Sequence, residues 1–107
     1  MNKDTAKRQF SNAVEIMYEH GWMKFPKNLN TTKEFKILDL KNLDTIIFEV
    51  RDGKKKTQHL LFYAYDLVHS LYLQDIDDSN YAIRCYAKSI CKDLYHYSNA
   101  QLEEDTL

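Results

Sequence analysis

TIIFEVRDGKKKTQHLL, running from Thr45 to Leu61, holds the strand and turn signals on which the architecture turns. In its first half Ile46, Phe48 and Val50 fall on one face of an extended chain and Ile47 and Glu49 on the other. That period of two is what a half-buried strand requires. Asp52-Gly53 then carries a strong hairpin signal, because a type I′ turn needs positive φ at both central positions. A strand over 45–51 should therefore return as an antiparallel strand from Lys54. Where that strand stops is ambiguous. Thr57, His59, Leu61 and Tyr63 alternate as a strand, whereas Leu60, Leu61, Ala64, Leu67, Val68 and Leu71 follow a helical template. A strand over 54–59 followed by a helix over 61–74 accommodates both patterns.

On the N-terminal side of this stretch, Phe35, Ile37 and Leu40 mark a strand over 34–40, joined to the next by a turn at Lys41–Asp44. Upstream, Trp22 to Thr32 reads as a connection, since Pro26 removes a donor and Asn28, Asn30, Thr31 and Thr32 favour turns. Ala6, Phe10, Ala13, Val14 and Met17 recur at spacings of three and four, which predicts a helix over 5–20 closed by Gly21. Downstream, the DIDDS stretch at 75–79 separates two helices. The second spans 80–97 and buries Ile83, Tyr86, Ala87, Ile90 and Leu94. Residues 98–107, SNAQLEEDTL, read as a polar, fraying tail. The expected architecture is one α+β domain over 1–97 in the order α-β-β-β-α-α, a three-stranded antiparallel meander packed against helices.

Composition narrows the class. The chain has 107 residues, 44% hydrophobic, with eight Tyr, five Phe and one Trp, enough to build a core and offset chain entropy. No uncharged apolar stretch approaches the roughly 20 residues of a membrane span. MNKDTAKRQF leads into no apolar run of the kind a secretory signal has, and two Cys make no disulfide framework. A cytoplasmic protein is expected. Residues 1–58 carry a balance of +4 and residues 59–107 one of -5, within a net charge of -1.

Three sets of residues suggest function. Arg84, Lys88 and Lys92 repeat at i,i+4 along the last helix, flanked by Tyr81 and Tyr95. Cations interleaved with aromatics suit a protein interface, and the same pattern suits nucleic acid. On the middle helix Phe62 and Leu73 point away from the main apolar stripe, so that face either is covered within the fold or meets a partner, including a second copy of the chain. At the hairpin Arg51, Lys54, Lys55 and Lys56 could contact phosphates, or could keep an exposed edge soluble.

Enzymatic signals are sparse. Asp39 or Asp44 followed by Glu49 and Arg51 resembles the Asp…Glu-x-Lys pattern of PD-(D/E)xK nucleases, in which carboxylates hold Mg²⁺. Here Arg replaces the Lys, and a guanidinium does not give up its proton. Cys85 and Cys91 lie about 120° apart on a helix, and the four His are scattered, so no metal or cofactor is expected. The opening αβββα order is similar to double-stranded RNA-binding domains, which place a basic cluster near the position of Lys54–Lys56 but carry a Gly-Pro-rich loop that this chain lacks.

The leading expectation is a non-enzymatic protein-binding module using Phe62, Leu73, Tyr81, Arg84, Lys88, Lys92 and Tyr95. A short chain rich in Lys, Asn, Ile and Tyr is of the kind that phages and mobile elements make to inhibit a host defence protein, as anti-CRISPR-type antagonists do. The alternatives are nucleic-acid binding through Arg51 and Lys54–Lys56, and a metal-dependent nuclease centred on Glu49.

Overall fold

The computed structural model describes residues 3–42, 44–61 and 79–105. Helix α1, Lys3–His20, buries Ala6, Phe10, Ala13, Val14 and Met17, the stripe that the spacing predicts, and adds Gln9. Gly21 ends it at φ +78°, its N–H donating to the Tyr18 carbonyl, 3.3 Å. Only glycine takes that backbone region without a steric cost.

Four strands follow: β1 (Met23–Lys24), β2 (Glu34–Lys41), β3 (Thr45–Asp52) and β4 (Lys55–Leu61). They form one antiparallel sheet in the order β1-β2-β3-β4. The meander therefore has four strands where the sequence predicts three. The extra strand is only two residues long, pairing Met23 with Phe35 and Lys24 with Glu34, too short to show a period of two. A 3-10 turn at Lys27–Leu29 separates it from β2.

The hairpin between β3 and β4 also departs from expectation. Asp52 pairs with Lys55, which leaves Gly53 and Lys54 as the loop. Gly53 has φ +63°, while neither Asp52 nor Lys54 has positive φ, the pattern of a type II′ rather than a type I′ turn. The return strand thus starts at Lys55 and continues to Leu61, which pairs with Ile46 and is buried. The expected helix start at 61 is overturned. Leu60 and Leu61 sit on opposite faces of β4, with Leu60 41% exposed, because pairing to β3 outweighs their fit to a helical template. The remainder of that helix, 62–74, lies outside the described residues.

Helix α2, Ser79–Asp105, buries Ala82, Tyr86, Ile90, Cys91, Leu94 and Ser98. Ile83 and Ala87, expected in the core, flank it half-buried, so the inward face is rotated toward the 82-86-90-94-98 line. The helix also runs past Tyr97, where the sequence reading ends it. Tyr97 packs edge-on to Phe48 at 6.5 Å, the Ser98 hydroxyl donates to the Tyr95 carbonyl at 2.9 Å, and Asn99 accepts from Lys33 Nζ at 3.4 Å. A serine that satisfies its hydroxyl within its own helix can be buried, so polarity alone misplaces this boundary.

Helices α1 and α2 cover the face of the sheet that carries Phe35, Ile37, Ile46, Phe48, Val50 and Leu61. Phe10 meets Tyr86 edge-on at 5.8 Å between the helices, and Phe25 bridges Phe35 (4.7 Å) and Tyr95 (5.3 Å). The Tyr86 hydroxyl is buried without a hydrogen-bond partner among the described residues, and burial raises its pKa. An unsatisfied buried hydroxyl is a net cost. Tyr86→Phe keeps the ring and should raise stability by about 1 kcal/mol. A urea midpoint above that of the wild type checks this, and a lower one would show that the hydroxyl is satisfied.

Candidate functional site

The outward side of α2 is built by the same periodicity that buries Ala82, Tyr86, Ile90 and Leu94. Arg84, Lys88 and Lys92 lie opposite that stripe, and all three are exposed. Tyr81 is 51% exposed, and the Arg84 guanidinium lies 5.9 Å from its ring centre. Four of the expected contact residues therefore share one ridge. Tyr95 does not join them. It is half-buried against Phe25, because the 22–29 segment folds back onto this helix, a contact with no local signature. Phe62 and Leu73 lie outside the described residues.

The ridge leads into a cavity of about 410 Å³ between α2 and the 3-10 turn, lined by Pro26, Asn28, Leu29, Lys88 and Lys92. Pro26 and Leu29 supply an apolar wall, and the two ammonium groups supply positive charge. Asn30 closes the turn in the left-handed conformation, φ 49°, its N–H donating to the Lys27 carbonyl at 3.1 Å. Pro26, Asn28 and Leu29 are functional candidates that sequence reasoning missed. Proline followed by Asn-rich sequence signalled a turn, but not that it would face the basic ridge.

Asp93 is the acid beside this ridge. Burial raises its carboxyl pKa, with the His96 and Lys92 charges pulling partly the other way. A carboxyl whose pKa is raised by folding contributes stability below its unfolded value, and that contribution disappears as pH rises through the folded value. Asp93→Asn removes this penalty on ionisation. Its stability relative to the wild type should therefore increase from pH 3 to pH 7 in urea titrations; a constant or shrinking difference would contradict the burial.

The hairpin cations are split by the pleat. Arg51 pairs with Lys56 across β3 and β4, and both project from the face opposite the core. Lys55 sits opposite Asp52 on the other face, and Lys54 is in the loop. Arg51 also donates to Glu34 at 3.0 Å and lies over Trp22, 4.2 Å from the ring centre.

The register places Asp39 and Glu49 of the nuclease pattern on the same face of the sheet, on neighbouring strands and in different rows. Asp39 stands opposite Ile47 and Glu49 opposite Lys36, with a bulge in β2 between those rows. The Asp39 carboxylate accepts from the Leu40 backbone N–H at 2.8 Å. Among the described residues no three His, Cys, Asp or Glu side chains are grouped to hold a metal ion. Cys91 is buried, which pushes its thiol up to about 11, and Cys85 is half-buried. At Cys91 this is the opposite of the lowered pKa that makes a thiolate reactive. No helix among the described residues is long and apolar enough to cross a membrane.

Compared with protein-family models, curated proteins and solved structures, the chain matches none of them.

Proposed function

We propose that this chain is a non-enzymatic protein-binding module that receives an acidic partner surface along the outer ridge of α2. The observation that carries the reading is the cavity at the end of the ridge, where Lys88 and Lys92 stand beside the apolar wall of Pro26 and Leu29. A pocket of this kind takes a partner's apolar side chain while the cations meet neighbouring carboxylates, the pattern of an interface hot spot. Tyr81 and Arg84 extend the contact along the helix, and Tyr and Arg are the residue types enriched at such sites.

A standard interface needs about 800 Å² from each partner, within reach of a domain this size. The module acts by occupying a surface, which suits a cytoplasmic inhibitor made by a phage or mobile element against a host defence protein. The test is affinity capture with wild-type chain and with the Arg84→Glu/Lys88→Glu variant. Loss of one stoichiometric protein in the variant supports the reading, and equal retention refutes it.

A further inference from the structure

The face of the sheet turned away from α1 and α2 carries a second, separate cluster. Trp22 precedes β1 directly, and alternation places its side chain with those of Lys24, Lys36, Arg51 and Lys56 rather than with the core. Three cations surround the indole: the Arg51 guanidinium at 4.2 Å from the ring centre, Lys36 Nζ at 5.3 Å and Lys56 Nζ at 5.9 Å. They come from three adjacent strands, so the positive charge is spread over the sheet at intervals of about 4.8 Å. Glu34 answers Arg51 at 3.0 Å, and that pair is only about 30% exposed, which fixes the guanidinium over the ring. Glu49 stands opposite Lys36, so this end of the face sets Lys24, Lys36, Arg51 and Lys56 against two carboxylates and keeps a positive balance.

We infer that this face binds single-stranded nucleic acid, with a base stacked on the Trp22–Arg51 platform and phosphates held by Lys36 and Lys56. Charge complementarity selects an anionic occupant. An indole with a guanidinium against its ring and two ammonium groups beside it further selects one whose charges alternate with planar rings. A duplex keeps its base faces stacked inside and has nothing to lay on the ring. The surface is distinct from the α2 ridge, and the two readings stand or fall separately.

Trp22 is the only tryptophan in the chain, so its fluorescence reports this face alone. The experiment titrates full-length chain with a 15-nucleotide oligo(dT) at 50 and 200 mM salt, with the same-length duplex and an oligo-glutamate peptide as competing probes. Oligo(dT) should quench Trp22. With two phosphates neutralised, affinity should fall roughly 7-fold between the two salt concentrations. Lys36→Ala and Lys56→Ala should each weaken binding and lower the salt slope by about 0.7. Arg84→Glu/Lys88→Glu should leave the titration unchanged. Absence of quenching at low salt, equal quenching by a Lys36→Glu/Lys56→Glu variant with wild-type circular dichroism, or tighter binding of either competing probe would overturn the assignment.

Discussion

Phe48→Ala should cost about 3–5 kcal/mol, the loss typical of truncating a buried aromatic ring. Phe48 is fully buried on the third strand, stacked on His59 at 5.2 Å and meeting Tyr97 of α2 at 6.5 Å. It therefore joins the sheet to the end of the long helix, and the cavity left by its removal would lie between two rigid elements that cannot close over it. A domain of this size has a total stability on the order of 5–15 kcal/mol, so the variant should be close to unfolding at 37 °C. Urea denaturation followed by circular dichroism measures the loss. A cost below 1 kcal/mol would mean that α2 does not dock on this face of the sheet.

The second large effect concerns binding. Arg84→Glu/Lys88→Glu converts two exposed cations of the ridge into anions and leaves the buried stripe of α2 untouched. Losing one partner of a charge pair that binding buries costs about 2–5 kcal/mol, and reversal adds repulsion to the loss. Affinity for an acidic partner should fall at least about 100-fold, which corresponds to about 2.7 kcal/mol. The variant's urea midpoint should stay near that of the wild type, because substitutions at exposed helix positions usually alter stability by about 0.5 kcal/mol or less. Loss of binding with retained stability separates a contact role from a structural one.

Much of the fold was legible because periodicity survives where a segment is long. The buried stripe of α1 follows directly from Ala6, Phe10, Ala13, Val14 and Met17, and the inner face of β3 from Ile46, Phe48 and Val50. The failures have local causes. Met23–Lys24 is a strand only because Glu34 and Phe35 offer it an edge, a long-range pairing with no local signature. The end of β4 was ambiguous because Leu60 and Leu61 satisfy both a helical and an extended pattern, and only pairing with Ile47 and Ile46 decides between them.

The candidate site was legible in the same measure. Arg84, Lys88 and Lys92 are brought to one exposed ridge by i,i+4 spacing within a single helix. The parts contributed by other elements were not foreseen. Pro26 and Leu29 reach the ridge through the fold of a connection, and Trp22 meets Arg51 only through the pairing of three strands. The hairpin cluster read as one patch is divided between two faces, since consecutive lysines on a strand point in opposite directions.

The most direct measurement is affinity capture from a bacterial lysate, with and without nuclease, on immobilised wild-type chain and on Arg84→Glu/Lys88→Glu side by side, quantified by mass spectrometry. The wild type should retain one protein in stoichiometric amount, resistant to nuclease and absent from the variant. Equal recovery of that protein on both chains, or loss of everything on nuclease treatment, would contradict it.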